Sequence, residues 1–151
     1  MTQVLIETRF AAPVARTFDV LTDLRNAEAR ISGLESLEVL TDGPIGVGTR
    51  FTEVRILMGK RATETMEITK FEPGKGYTVE AESCGSHYTS TFVFAPDGDG
   101  SHVSMKFVAK PLTFMAKVMT PMMFMMKGFM RKCMSKDMED LRVVIEGNAG
   151  A

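Results

Sequence analysis

The hydrophobic pattern of the chain changes period twice. Residues 4–10 alternate, with Val4, Ile6, Thr8 and Phe10 on one face and Leu5, Glu7 and Arg9 on the other. That is the period of a half-buried strand. From Pro13 to Asp23 the spacing is helical: Val14, Phe18 and Leu21 share one face, and Arg16, Asp19 and Asp23 point away. Pro13 suits a first helical turn. A second short helix is expected around Arg25 to Ile31, stopped at Gly33. From Leu34 to Lys110 alternation returns in six runs, 34–41, 49–58, 62–72, 76–83, 87–96 and 102–110. They are separated by Gly43-Pro44 with Gly46 and Gly48, then Gly59-Lys60, Pro73-Gly74, Gly85 and Asp97-Gly98-Asp99-Gly100. Connections this short favour antiparallel neighbours. After Pro111 the period is helical again as far as Glu146, about 50 Å of helix at 1.5 Å per residue. Pro121 should kink this helix or start its main part, and Gly128 weakens it further.

At 151 residues the chain fits one domain, expected over 1–147, with a frayed tail at 148–151. A domain of this size needs neither disulfides nor a metal to hold together. The only cysteines, Cys84 and Cys133, form no CxxC pattern, so a reduced, cytoplasmic protein is the expectation. The first ten residues carry Glu7 and Arg9 and precede no secretory cleavage site. Residues 111–130 include Lys117, Pro121 and Lys127, which argues against a membrane span. A net charge of -1 and a pI near 6.1 argue against nucleic-acid binding. The charge is unevenly placed: residues 1–100 hold 15 acids and 10 bases, residues 101–136 seven bases and no acid. This suits either a solvated helix face or contact with an anionic surface or ligand.

One strand, two short helices, six strands and a long helix make an unusual order. A curved sheet with an inward apolar face needs a cover, and only the last helix is long enough. The stretch Ala12-Pro13-Val14-Ala15-Arg16-Thr17-Phe18-Asp19-Val20-Leu21-Thr22-Asp23 resembles the first-helix signature of the START-like (SRPBCC) superfamily of helix-grip proteins, often polyketide cyclase/dehydrase and lipid-transport domains. Gly46-Val47-Gly48-Thr49-Arg50-Phe51 resembles its glycine turn, and Ile68-Thr69-Lys70-Phe71-Glu72-Pro73 and Leu141 to Glu146 match its pattern. The resemblance spans about residues 3 to 146. It implies an α+β helix-grip fold: a curved seven-stranded antiparallel sheet wrapped around a long C-terminal helix, with two short helices between strands 1 and 2. It also implies a cavity for a hydrophobic small molecule. It does not imply one activity. Ile31 stands near a position where many relatives carry tryptophan, which leaves the shape of the cavity mouth open.

The chain contains no HExxH, GxSxG or Walker motif, and no metal or cofactor is expected. Gly46 and Gly48 do not complete GxGxxG and read as a tight approach into the next strand. If Phe51 points inward, so do Glu53, Arg55 and Leu57, and Glu64 follows Met66 and Ile68. Glu53, Arg55 and Glu64 then form an internal polar cluster, either a headgroup anchor or a catalytic pair. A bulge that flips the register would instead put Val54 and Ile56 inside. Tyr88 shares a face with Phe92 and is the candidate hydrogen-bonding handle, with Tyr77 acting similarly or both serving as core. His87 and His102 fall on the outward face. Phe51, Met66, Phe92, Met105 and Phe107 are the expected ligand-lining residues of the sheet.

Thirteen methionines accompany no tryptophan, and nine of them fall between Met115 and Met138. At about 100° per residue, Met115, Met119, Met122, Met123, Met126, Met130 and Cys133 cluster opposite Lys117, Lys127, Arg131 and Lys132. Met115, Met119, Met122 and Met126 are expected to line the cavity as a soft wall, the alternative being plain core. Phe124 and Met125 fall on the basic face. There they suit a dimer contact or peripheral docking on anionic lipid, unless the kink turns them inward. The expected function is binding of a lipid-like, acyl or polycyclic molecule in the cavity between the sheet and the C-terminal helix; the alternatives are a polyketide cyclase/dehydratase-type enzyme and a membrane-surface or partner-binding module. Monomer and homodimer are equally open.

Overall fold

Seven strands and five helices follow one another in the computed structural model, which describes residues 2–147 and, for Met123, the backbone alone. The tail expected to fray, 148–151, lies outside those residues. Strand β1 (Thr2–Phe10) leads into α1 (Val14–Leu21), a 3-10 turn (Leu24–Asn26) and the one-turn α2 (Ala27–Arg30). Strands β2 (Leu34–Val39), β3 (Arg50–Leu57), β4 (Lys60–Glu72), β5 (Gly76–Ser83), β6 (Ser86–Asp97) and β7 (Gly100–Pro111) follow. They form one antiparallel sheet in the order β1-β7-β6-β5-β4-β3-β2. The chain closes with α3 (Phe114–Val118), α4 (Thr120–Met125) and α5 (Lys127–Gly147).

Turn chemistry sets the registers. Leu57 pairs with Lys60 and Ser83 with Ser86, so two residues make each hairpin loop. Met58 and Gly59 (φ 52° and 81°) and Cys84 and Gly85 (φ 53° and 76°) all take left-handed backbone. Paired positive φ values match the right-handed twist of the flanking strands. Gly48, at φ 90°, donates its N–H to the Ile68 carbonyl at 2.8 Å. A Cβ at Gly46 or Gly48 would meet nothing within 4 Å, so neither makes the expected close approach, and only Gly48 takes a backbone conformation that favours glycine.

The inward face of the sheet and the underside of α5 form one core. Phe18, Phe51, Ile68, Tyr77, Phe94 and Val103 pack with Met138, Leu141 and Ile145. Helix α5 also ties the β1 edge of the sheet to the turn between α2 and β2. Arg131 and Arg142 each donate to β1 carbonyls, those of Leu5 and Arg9, at 2.7 Å. On the other side Asp140 accepts from the Ser32 N–H and hydroxyl at 2.9 and 2.7 Å. Donors aimed at edge carbonyls satisfy groups that would otherwise invite another strand.

The single helix expected from Pro111 to Glu146 is three segments, and its main part starts at Lys127, not at Pro121. Pro121 has no N–H to give the Lys117 carbonyl, and the Met122 N–H turns back to Met119 at 3.0 Å, tightening that turn. Among the described residues, no helix is long and apolar enough to cross a membrane.

Candidate functional site

A cavity of about 700 Å³ lies between the sheet, the α1–α2 segment and the C-terminal helices. Its sheet wall includes Phe51, Met66, Phe92, Met105 and Phe107, together with Tyr77 and Tyr88. Ile31 lines it from the α2 side. The helical wall is soft, with Met115, Met119, Met126, Met130, Met134 and Met138 beside Phe129 and Cys133.

Met122, expected among the lining residues, is not there: it is 51% exposed and faces away. The reason is local to Pro121: the Met122 N–H bonds back to Met119 at 3.0 Å, and this tightened turn carries Met122 off the stripe, whereas Met126, Met130 and Cys133 beyond it stay on the cavity side. Met115 and Met119 line the cavity yet are 67% and 43% exposed, which places them at its mouth. The side chain of Met123, expected on the same stripe, lies outside the described residues. Phe124 and Met125 are exposed, so the kink does not turn them inward.

One corner of the cavity is charged. Arg55 Nε donates to Glu53 Oε1 at 2.9 Å, and its Nη1 and Nη2 donate to Asp137 Oδ1 and Oδ2 at 3.1 and 2.8 Å. Gly33 leaves room for the guanidinium, because a Cβ there would stand 3.2 Å from Arg55 Nη1. The inward register therefore holds, and Ile56, its alternative, is half exposed. A bulge does occur in β4, but between Ile68 and Lys70, beyond the cluster, so the alternation over Glu64, Met66 and Ile68 is intact. Burial opposes the Arg55 charge; its hydrogen bonds to Asp137 and the negative charge of Glu53 outweigh that and hold the guanidinium above its ordinary range.

Glu64 sits opposite Glu53 in the β3–β4 register and lines the same corner. Arg55 is engaged by Glu53 and Asp137, and Glu64 makes no ion pair among the described residues. Burial first, and the Glu53 charge second, push its carboxyl above the ordinary carboxylate value, with Arg55 opposing only in part. Tyr88, stacked on Phe107 at 5.7 Å, is raised by burial and then by the Glu64 charge. Tyr77 stacks on Phe92 at 4.4 Å, and burial pushes its phenol up. His87 lies outside the cavity lining, with Nε2 2.8 Å from Glu80, and His102 Nε2 is 3.8 Å from Glu7.

Asp137, which completes the charged corner, is a lining side chain that the sequence pattern did not bring forward. It had a signal: Met130, Met134, Asp137 and Leu141 recur at helical spacing, so an acid interrupts an apolar stripe. Phe129 and Met134 lie at the two margins of the stripe phased from Met115, each about 20° beyond its outermost members. Among the described residues, no three His, Cys, Asp or Glu side chains are grouped to hold a metal.

Comparison with solved structures finds the same fold at low identity. A protein of Thermus thermophilus, TTHA0849, superposes with a TM-score of 0.80 at 20% identity, covering 97% of this chain and 99% of that one. The di-domain ARO/CYC StfQ of the steffimycin biosynthetic pathway gives 0.80 at 12% identity over 99% of this chain and 52% of its own, so this chain spans about half its length. A point mutant of Thalictrum norcoclaurine synthase, in complex with a transition-state analogue, gives 0.76 at 14% identity, covering 98% and 96%. These likenesses show fold alone. No curated protein matches the sequence. The sequence signature of one family matches residues 1–146, nearly the whole length, and with the helix-grip architecture it places the chain in the polyketide cyclase / dehydrase and lipid transport family.

Proposed function

We propose that the protein binds an apolar small molecule that carries one polar group, enclosed between the sheet and α5. The observation that carries this reading is a cavity of about 700 Å³, apolar on most of its wall and charged at one corner. Its volume falls in the range typical of small-molecule sites, roughly 300–1,000 Å³, and convergent polar groups in an apolar cleft fix a ligand's orientation. Phe92, Met105 and Phe107 supply the sheet wall, while Met126, Met130 and Met134 adapt to ligand shape. Glu64 and Tyr88 meet the polar group. The family and the fold of the neighbours support this reading. Native mass spectrometry with organic extraction of the purified protein, followed by titration with a fluorescent apolar probe, tests it. A co-purified apolar ligand, or probe binding weakened by Phe107→Asp, is expected; a protein that is empty and binds no probe overturns the reading.

A second reading is favoured by the raised Glu64 carboxyl beside Tyr88. A carboxyl group with a raised pKa is a better match for proton transfer than an ordinary one: its acid form can donate to a carbonyl oxygen, and its carboxylate can then accept a proton from the adjacent carbon. That enolisation opens an aldol-type cyclisation of a polyketide-like substrate, in which the enol carbon bonds to a second carbonyl carbon and the oxygen there takes a proton; dehydration then expels that oxygen as water, and the ARO/CYC name of StfQ agrees with this reading. Turnover that falls in Glu64→Gln and Tyr88→Phe without loss of stability supports it. Turnover indifferent to both removes this site from consideration.

A further inference from the structure

The mouth of the cavity is surrounded by apolar side chains in water. Phe114, Met115, Val118, Phe124 and Met125 on α3 and α4, and Met58 at the β3–β4 turn, are all between 56% and 83% exposed. They belong to one end of the molecule. The Leu112 and Thr113 N–H groups donate to the Gly85 carbonyl at 2.8 and 3.2 Å, which ties the start of α3 to the β5–β6 turn. Leu57, before the β3–β4 turn, and Cys84, in the β5–β6 turn, line the cavity together with Met115 and Met119. An apolar surface this extensive on a water-exposed face marks an interaction site.

Charge selects the occupant. Lys60, Lys110, Lys117 and Lys127 flank the patch and form no ion pair among the described residues, and residues 101–136 contain no acid. Lys127 Nζ stands 5.8 Å from the centroid of the Phe124 ring, so cation and apolar group are side by side. A two-fold contact between copies would set these lysines against their own images, because a two-fold interface places the same patch on both sides. A bilayer of anionic lipid offers what the surface lacks: hydrocarbon for the aromatic and methionine side chains, and phosphates for the lysines.

We infer that this rim, formed by α3, α4 and the β3–β4 turn, docks on an anionic membrane surface, with Met115 and Met119 making a continuous apolar path from the bilayer into the cavity. Docking depends only on the outer surface. It therefore stands or falls separately from ligand binding inside, which the apolar-probe titration reads in the absence of lipid.

The test is co-flotation of the full chain with phosphatidylcholine vesicles, with and without phosphatidylglycerol. Binding is expected only with phosphatidylglycerol. Lys117→Glu with Lys127→Glu should weaken it by more than about tenfold, since each surface lysine contributes roughly fivefold, and Phe124→Ser with Met125→Ser should abolish it. Lys117, Phe124 and Met125 are exposed, Lys127 is partly exposed, and all four lie outside the cavity lining, so thermal unfolding should be unchanged. Raising the salt on the unmodified chain gives a reading that needs no variant, and binding should fall. Equal binding to both vesicle types, or to neither, overturns the inference. So does concentration-dependent dimerisation that Met125→Ser removes while vesicle binding is absent, which would make the surface an interface between copies.

Discussion

Arg55 on β3 grips Asp137 on α5 with both terminal nitrogens, at 3.1 and 2.8 Å, and the two side chains are only 19% and 17% exposed. Planar two-point pairing of this kind fixes orientation as well as distance. It ties the middle of the closing helix to the sheet from inside the cavity, while Arg131 and Arg142 tie the same helix to the β1 edge and Asp140 ties it to the turn before β2. The charged corner is thus part of the helix anchor and part of the cavity wall at once.

Asp137→Ala should lower stability by about 3 kcal/mol, because it leaves a largely buried guanidinium with Glu53 alone. Urea unfolding gives the value directly. Arg55→Met should be destabilising too, and the double variant should lose clearly less than the two single losses combined, as expected for one shared interaction. Additive losses would show that the two residues act independently.

Glu64 makes stability fall with rising pH. Its carboxyl is raised in the folded state above the ordinary 4.5, by burial first and by Glu53 second. Over the interval between the unfolded and folded values the native state holds the extra proton, so the folded state is favoured at the acidic end and that advantage is lost as pH rises through the folded value. Glu64→Gln abolishes the dependence. It should be more stable than the unmodified chain at pH 7 and show no gain at pH 4, by thermal unfolding at both values. A gain of the same size at both would point to packing instead of ionisation.

The strands were legible because alternation and turn residues agree: Tyr88, Phe92 and Phe94 count out one face of β6 without help from tertiary structure. The Arg55 cluster needed more, since two registers of β3 and β4 were open until the position of the β4 bulge was known. Asp137 was hidden for another reason. The sequence shows that an acid sits on an apolar stripe, but not that the stripe passes 2.8 Å from an arginine 82 residues earlier. Met122 failed because a helical projection does not see the tightened turn at Pro121, which displaces that one residue and leaves Met126, Met130 and Cys133 on the stripe.

Phe18 anchors α1 to the sheet through edge contacts with Phe94, Phe71 and Tyr77, at centroid distances of 5.0, 5.4 and 6.1 Å. It is 4% exposed. Phe18→Ala should remove about 3–5 kcal/mol, the usual loss for a large aromatic deleted from a tight core. Phe18→Leu should recover much of it. Denaturant midpoints close to that of the unmodified chain for both would mean that α1 contributes little to the core.

Gly85 controls the mouth through its neighbour Thr113. Its φ is 76°, and a Cβ added there would stand 2.5 Å from Thr113 Oγ1 and 3.1 Å from its Cγ2. That same oxygen caps α3 by accepting the Ala116 N–H at 3.1 Å. Gly85→Ala therefore acts twice: it strains a left-handed position by about 1 kcal/mol and displaces a cap worth about 1 kcal/mol. The damage should stay local. Hydrogen exchange at the Ala116 and Lys117 amides should quicken by about tenfold or more, while the Leu141 and Ile145 amides on the buried face of α5 keep their protection. Thr113→Val removes the cap without touching the turn, and it should reproduce the exchange at Ala116 with a smaller loss of overall stability. Because α3 carries Met115 at the rim, both variants should also speed the entry and release of an apolar probe, read by stopped-flow fluorescence. Protection lost evenly along the chain, or probe rates unchanged despite faster exchange in α3, would show that this helix does not control access to the cavity.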